Sequence, residues 1–214
     1  MNLLSSITRH DIRNQLLTLK GYLQLSKDAL NDPSALPGYI EKEEQIAETI
    51  GRQIEFTKEY EDLGMKTPVW QRLPVVVRSA ASKMAASTIS VEVPDGLPEV
   101  YADPLLVKVF YNLFENSRQH GGAVTRIIIS HRVTGAGLVI TVTDNGSGLS
   151  IEDRKHLFER GFGKNTGLGL FLSREILGIT GISISEKGTP GMGARFEIVV
   201  PEDGYRLPDP EERE

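Results

Sequence analysis

Apolar residues in the first third of the chain recur at helical intervals. Ile12, Leu16, Leu19, Leu23, Ser26 and Leu30 step by four, three, four, three and four, a heptad seam with one small polar insertion. Asn31-Asp32-Pro33 should break this helix, and Pro37-Gly38 adds a second break. The helical pattern resumes at Tyr39, with Ile46, Ile50 and Ile54 at four-residue steps, and Pro68 ends it. Two long amphipathic helices joined by a short loop predict an antiparallel hairpin. One hairpin cannot cover its own apolar stripe, so a homodimer that completes a four-helix bundle is expected.

The pattern changes after about Thr67. Val124 to Val133 and Leu138 to Thr143 read as strands, and in the second Leu138, Ile140 and Val142 alternate with Val139, Thr141 and Thr143. Asp103-Pro104 predicts an N-cap and a first helical residue, opening a helix through about His120. Helical spacing returns from Leu168 to Ile179, and Ile182 to Glu186 and Arg195 to Val200 close the region as strands. Helices mixed with hairpin-like strands predict an α+β two-layer sandwich after the α-helical hairpin. The expected boundaries are 1–66 for the hairpin, 67–201 for the sandwich and 202–214 for an acidic, mobile tail.

Composition narrows the function classes. Hydrophobic content of 39% and charged content of 25% over 214 residues lie in the globular range. A net charge of −5 with no long basic run argues against nucleic acid as a partner. No apolar run approaches the roughly 20 residues of a membrane helix, so no membrane segment is expected in this chain and a cytoplasmic location fits. The absence of cysteine removes disulfides, thiolate metal sites and cysteine nucleophiles.

Four local patterns carry chemistry. Asp144-Asn145-Gly146-Ser147-Gly148 follows the clearest strand. Its carboxylate can accept from an exocyclic amine such as that of adenine, and Gly146 and Gly148 let the backbone pass close to a flat ring. Taken alone, it is also an ordinary turn. Thr166-Gly167-Leu168-Gly169-Leu170 precedes a helix, where free backbone N–H groups suit phosphate oxygens. Asn112 and Asn116 lie one turn apart at the edge of an apolar stripe, and an amide oxygen there can ligate a hard cation such as Mg²⁺. His10 faces away from the seam, with Asn14 one turn on. An exposed imidazole is largely neutral near pH 7 and keeps a nucleophilic nitrogen, and Asp11 can take the proton of the other.

Together these motifs resemble those of the sensor histidine kinases, over nearly the whole chain apart from the tail. His10-Asp11-Ile12-Arg13-Asn14 resembles the H-box, Asn112 to Asn116 the N-box, Asp144 to Gly148 and Thr166 to Leu170 the two glycine boxes, Phe158 and Phe162 the F-box, and Gly191 to Phe196 the last glycine-containing strand entry. The resemblance implies a dimeric phosphoacceptor hairpin followed by a Bergerat-type ATP-binding domain, shared with gyrase and Hsp90. It implies ATP and Mg²⁺ as cofactors, with Asn116 on the metal and Asp144 on the adenine. The backbone of Gly167 to Gly169 would hold the phosphates. Phosphate would pass from His10 to an aspartate of a response regulator, and Asn14 would support dephosphorylation of that partner.

The chain also departs from the family's pattern. Gln15 replaces a frequent proline, and Gln119 a frequent basic residue, which leaves phosphate contact to His120 or Lys164. Ala194 stands where Thr or Ser often opens the last strand. Where the gyrase and Hsp90 type carries a glutamate base for water, this chain has Asn112, which argues against an ATP hydrolase. The complete glycine boxes argue against an inert scaffold.

Overall fold

The computed structural model describes residues 3–30, 34–84, 88–163 and 167–208. The expected break at Asn31-Asp32-Pro33 and the end of the tail, 209–214, lie outside them. Helices α1 (Leu3–Asp28) and α2 (Leu36–Asp62) pack side by side as the hairpin. Pro37 does not break the second helix. It sits in the first turn, where its missing N–H would have had no helical partner, and the helix runs on through Gly38.

The hairpin uses only half of the seam read from the sequence. The residues of α1 that are half-buried on α2 include Gln15, Leu19, Tyr22 and Ser26, with Tyr22 against Tyr39 at 6.3 Å and Ser26 Oγ donating to Glu43 at 2.6 Å. Leu16, Leu23 and Leu30, spaced by sevens, remain 43–69% exposed. On α2, Ile50 is buried but Ile54 is exposed, and burial passes to Gln53 and Phe56. A narrow helix pair offers each partner one stripe, and the neighbouring leucine row is left over.

The remainder is a two-layer sandwich. Strands β1 (Val69–Arg72), β2 (Ser90–Glu92), β3 (Glu99–Ala102), β4 (Arg126–Thr134), β5 (Gly137–Asp144), β6 (Ser183–Glu186), β7 (Arg195–Val200) and β8 (Tyr205–Arg206) build it with helices α3 (Leu73–Ser82), α4 (Leu106–His120), α5 (Ile151–His156) and α6 (Gly169–Gly178). The larger sheet has the order β2-β4-β5-β7-β6, antiparallel except for the parallel β2–β4 pair. A smaller sheet, β1-β3-β8, stands apart. Leu138, Ile140 and Val142 of β5 share one core with Val109, Phe110 and Leu113 of α4 and with Leu172 and Ile176 of α6. Period two on the strand and 3.6 on the helices thus bring the two apolar faces together.

Two boundaries differ from the sequence reading. Helix α4 starts at Leu106 rather than at Pro104. The carboxylate of Asp103 accepts from the Leu105 N–H at 2.8 Å, closing a turn ahead of the helix, and offers its other oxygen to the Gly64 N–H at 3.3 Å. Residues 202–206 do not begin a tail. Tyr205 and Arg206 pair with Val100 and Glu99, and the Arg206 guanidinium stacks 3.7 Å from the Trp70 ring.

The end of α2 is part of the sandwich core: Phe56 lies 6.4 Å from Phe171, ring to ring. Beside it Lys108 Nζ meets Glu59 at 2.7 Å and Glu55 at 3.6 Å. Burial pushes the Glu59 carboxyl up despite Lys108, whereas the Lys108 ammonium, which burial alone would push down, is held above its ordinary value by Glu59. The two directions disagree on what the pair gains. At 2.7 Å we take the pair as ionised near neutrality, with part of its attraction offset by burial. Glu59→Ala leaves Lys108 half-buried with a weaker partner and should cost about 1–2 kcal/mol near pH 7, read by chemical unfolding. Since the lysine's value is raised, that loss should fade as pH rises through it.

Candidate functional site

A cleft of about 780 Å³ opens between the end of α2 and the helix layer of the sandwich. Residues singled out from the sequence share it, among them Asn112, Asn116, His120, Asp144 and Gly148, with Gly167 to Gly169. Asp144 ends β5 and is 5% exposed. Its Oδ1 accepts from the N–H groups of Gly146 at 2.9 Å and Ala194 at 3.0 Å, and its Oδ2 accepts from Ser117 Oγ at 2.6 Å. Every one of these donors is neutral, so the carboxylate is oriented without being neutralised.

Ser117 was not foreseen. The signal was a hydroxyl on the buried stripe of α4, four residues after Leu113. It supplies Asp144 with the side-chain hydroxyl that position 194, an alanine, cannot supply. Gly146 takes a different role from the one expected, since it does not line the cleft. A Cβ there would lie 2.3 Å from the Gly121 carbonyl oxygen, so its glycine serves backbone packing rather than approach to a ring. Asn145 likewise anchors the turn, accepting from the N–H groups of Thr125 and Arg126 at 3.0 and 3.1 Å.

Asn112 and Asn116 differ in their surroundings. Asn112 Nδ2 donates to the Gly169 carbonyl at 2.9 Å and to Ser173 Oγ at 3.2 Å, tying α4 to the first turn of α6. Asn116 is half-buried at the cleft with no side-chain hydrogen bond among the described residues. Among the described residues no side chain caps α6, which leaves its first amides open for an anion. Leu168 lines the cleft and is also part of the core. Gln119 donates to Glu115, as does Arg118, whose hydrogen bond holds the Glu115 carboxyl below its usual range. Lys164 and Thr166 lie outside the described residues.

His10 stands on the exposed side of α1, its side chain 71% exposed. Its Nδ1 is 3.5 Å from Asp11 Oδ1 and 3.4 Å from Asn14 Nδ2. When Nδ1 carries the ring proton it faces Asp11, and Nε2 keeps its lone pair. His10 does not line the cleft.

A helical hairpin followed by an α/β sandwich with a caged strand-end carboxylate and a helix start at the cleft is an arrangement that suits a nucleotide. Comparison with known proteins agrees. Residues 102–204 match the histidine kinase-, DNA gyrase B-, and HSP90-like ATPase family. The signal transduction histidine-protein kinase AtoS of Escherichia coli is 28% identical over 90% of this chain and 33% of its own length. Among solved structures, full-length ShkA in complex with AMPPNP (TM-score 0.63, 19% identity, 96% of this chain and 46% of that one) has a similar fold. So does the histidine kinase ThkA in complex with the response regulator protein TrrA (TM-score 0.65, 21% identity, 92% and 60%). Residues 102–204 thus match the ATP-binding domain of that ATPase family, and nearly the whole chain is similar to histidine-protein kinases. It spans only part of the curated relatives it matches, and among the described residues no helix is long and apolar enough to cross a membrane.

Proposed function

We propose that this chain transfers the γ-phosphoryl group of ATP to Nε2 of His10, giving ADP and phosphohistidine, and then passes it to an aspartate of a response regulator. The observation that carries this reading is one chain holding both halves of the chemistry. Asp144, Asn112 and Asn116 meet in one cleft, and an exposed His10 has a carboxylate 3.5 Å from its Nδ1. Asp144 accepts from the adenine amine, and the backbone of Gly167 to Gly169 receives phosphate oxygens. Asp11 holds the proton on Nδ1, so that Nε2 is the attacking atom.

Mg²⁺ fits the donors present. Among the described residues no cluster of three acidic or histidine side chains exists to cage a metal, but Asn116 offers an unengaged amide oxygen beside the phosphate position. That suits an ion which keeps its waters and takes most other ligands from phosphate, and which neutralises charge there when bound. The hairpin is the phosphoacceptor unit, and the sandwich, which includes β8 and packs on the end of α2, is the catalytic unit, operating in the cytoplasm where ATP is available. The exposed row of Leu16, Leu23 and Leu30 supports a homodimer, since a second hairpin would cover it. Asn112 is an amide held by Gly169 and Ser173, not a base, which favours transfer over hydrolysis.

Incubation with γ-labelled ATP tests the reading. Label that survives alkali and is lost in acid marks phosphohistidine, and its absence overturns the proposal. A second activity, dephosphorylation of the regulator, should depend on Asn14, which shares the exposed face of His10 and can orient a water for attack on a docked phospho-aspartate. Asn14→Ala should slow regulator decay by about tenfold while self-labelling continues, because an orienting group acts by position alone. Unchanged decay beside normal labelling would deny Asn14 that role.

A further inference from the structure

Arg160 reaches from the loop after α5 to the phosphoacceptor helix of its own chain. Its Nη2 lies 3.3 Å from Asp11 Oδ2 and 3.5 Å from Oγ1 of Thr8, a threonine only 1% exposed. Asp11 is thus shared: Oδ1 faces His10 and Oδ2 faces the guanidinium. Glu159, the adjacent acid, is turned away to His156 at 3.0 Å, so the charge of Arg160 is directed at Asp11.

The other end of this contact is fastened to the phosphate-binding backbone. Gly161, next in the chain, donates its N–H to the Gly167 carbonyl at 3.3 Å. Both glycines have positive φ, and a Cβ on Gly167 would stand 2.4 Å from the Gly161 carbonyl carbon. This hydrogen bond and the close backbone approach hold Gly161 against Gly167. A nucleotide seated on Gly167 to Gly169 therefore fixes Gly161, hence Arg160, hence the carboxylate that orients His10.

We propose that Arg160 is a positioning residue for phosphoryl transfer, coupling the occupied phosphate loop to Asp11 of the same chain, so that each catalytic unit phosphorylates the histidine of its own subunit. The proposal rests on the kinase reading above. The pair is half-buried, so a merely structural Arg160 would show in unfolding stability and leave the labelling rate of the folded chain unchanged.

The experiment measures initial rates of His10 labelling in the full chain. Arg160→Ala should slow labelling about tenfold or more, with the KM for ATP within about twofold, because misplacement of an orienting group costs rate rather than binding. Arg160→Lys should recover most of the rate, which a misfolded chain could not do. In a mixed dimer, one subunit carries Arg160→Ala with His10 intact, and the other carries His10→Gln with Arg160 intact. Labelling at the slow rate is expected; labelling at the wild-type rate would place the contact across the dimer and overturn the proposal. An unchanged rate for Arg160→Ala, or a KM rising in step with the lost rate, would overturn it too. If the wild-type chain itself takes no label on His10, the kinase reading fails and takes this proposal with it.

Discussion

His10→Gln should take up no acid-labile label while binding ATP as the wild-type chain does. Glutamine fills a similar volume but has no nucleophilic nitrogen at neutral pH. The His10 side chain is 71% exposed and outside the cleft, so neither packing nor nucleotide contacts change. The competing acceptor is His120, the histidine that lines the cleft. Of the others, His156 is engaged with Glu159 and His131 sits on β4. Acid-labile label persisting in the variant would move the acceptor to one of these three and end the proposed mechanism. The measurement is label retained after acid and alkali, with ATP affinity by calorimetry as the control.

Asp144→Asn should weaken adenine-nucleotide binding roughly tenfold to a hundredfold, and self-labelling with it. The estimate follows from the loss of a charged acceptor, a difference of about 1.5–3 kcal/mol. The fold should survive. An amide oxygen can still accept from the Gly146 and Ala194 N–H groups, and Ser117 Oγ can turn to accept from the new NH₂. Calorimetry with ATP reads the affinity and thermal unfolding checks the fold. Unchanged affinity would make the strand-end carboxylate a turn anchor only.

Much of this architecture was legible in the chain. Strand β5 announced itself because Leu138, Ile140 and Val142 alternate with residues of the other face, and α4 because Leu106, Val109, Phe110 and Leu113 keep helical spacing. The elements at β1, α3, β2 and β3 were not distinguished, since strands of three or four residues leave no period to read. In α3 the β-branched run Val75-Val76-Val77 also conflicts with helix propensity. Tertiary burial of Val76, Val77 and Ala80 overrides that local preference.

What the sequence by itself determined was the inventory of chemical groups and the elements that present them. His10 with Asn14 is local, because residues four apart share a helix face, and Asp11 is simply the next residue in the chain. Tertiary structure decided everything that joins distant segments. It placed Ser117 against Asp144, gave Gly146 to packing, split the α1 seam into a buried and an exposed row, and brought Arg160 to Asp11 across 149 positions of chain. A period fixes which face a residue occupies, but not which other face it will meet. That pairing depends on the shapes and charges of surfaces assembled only when the whole chain folds.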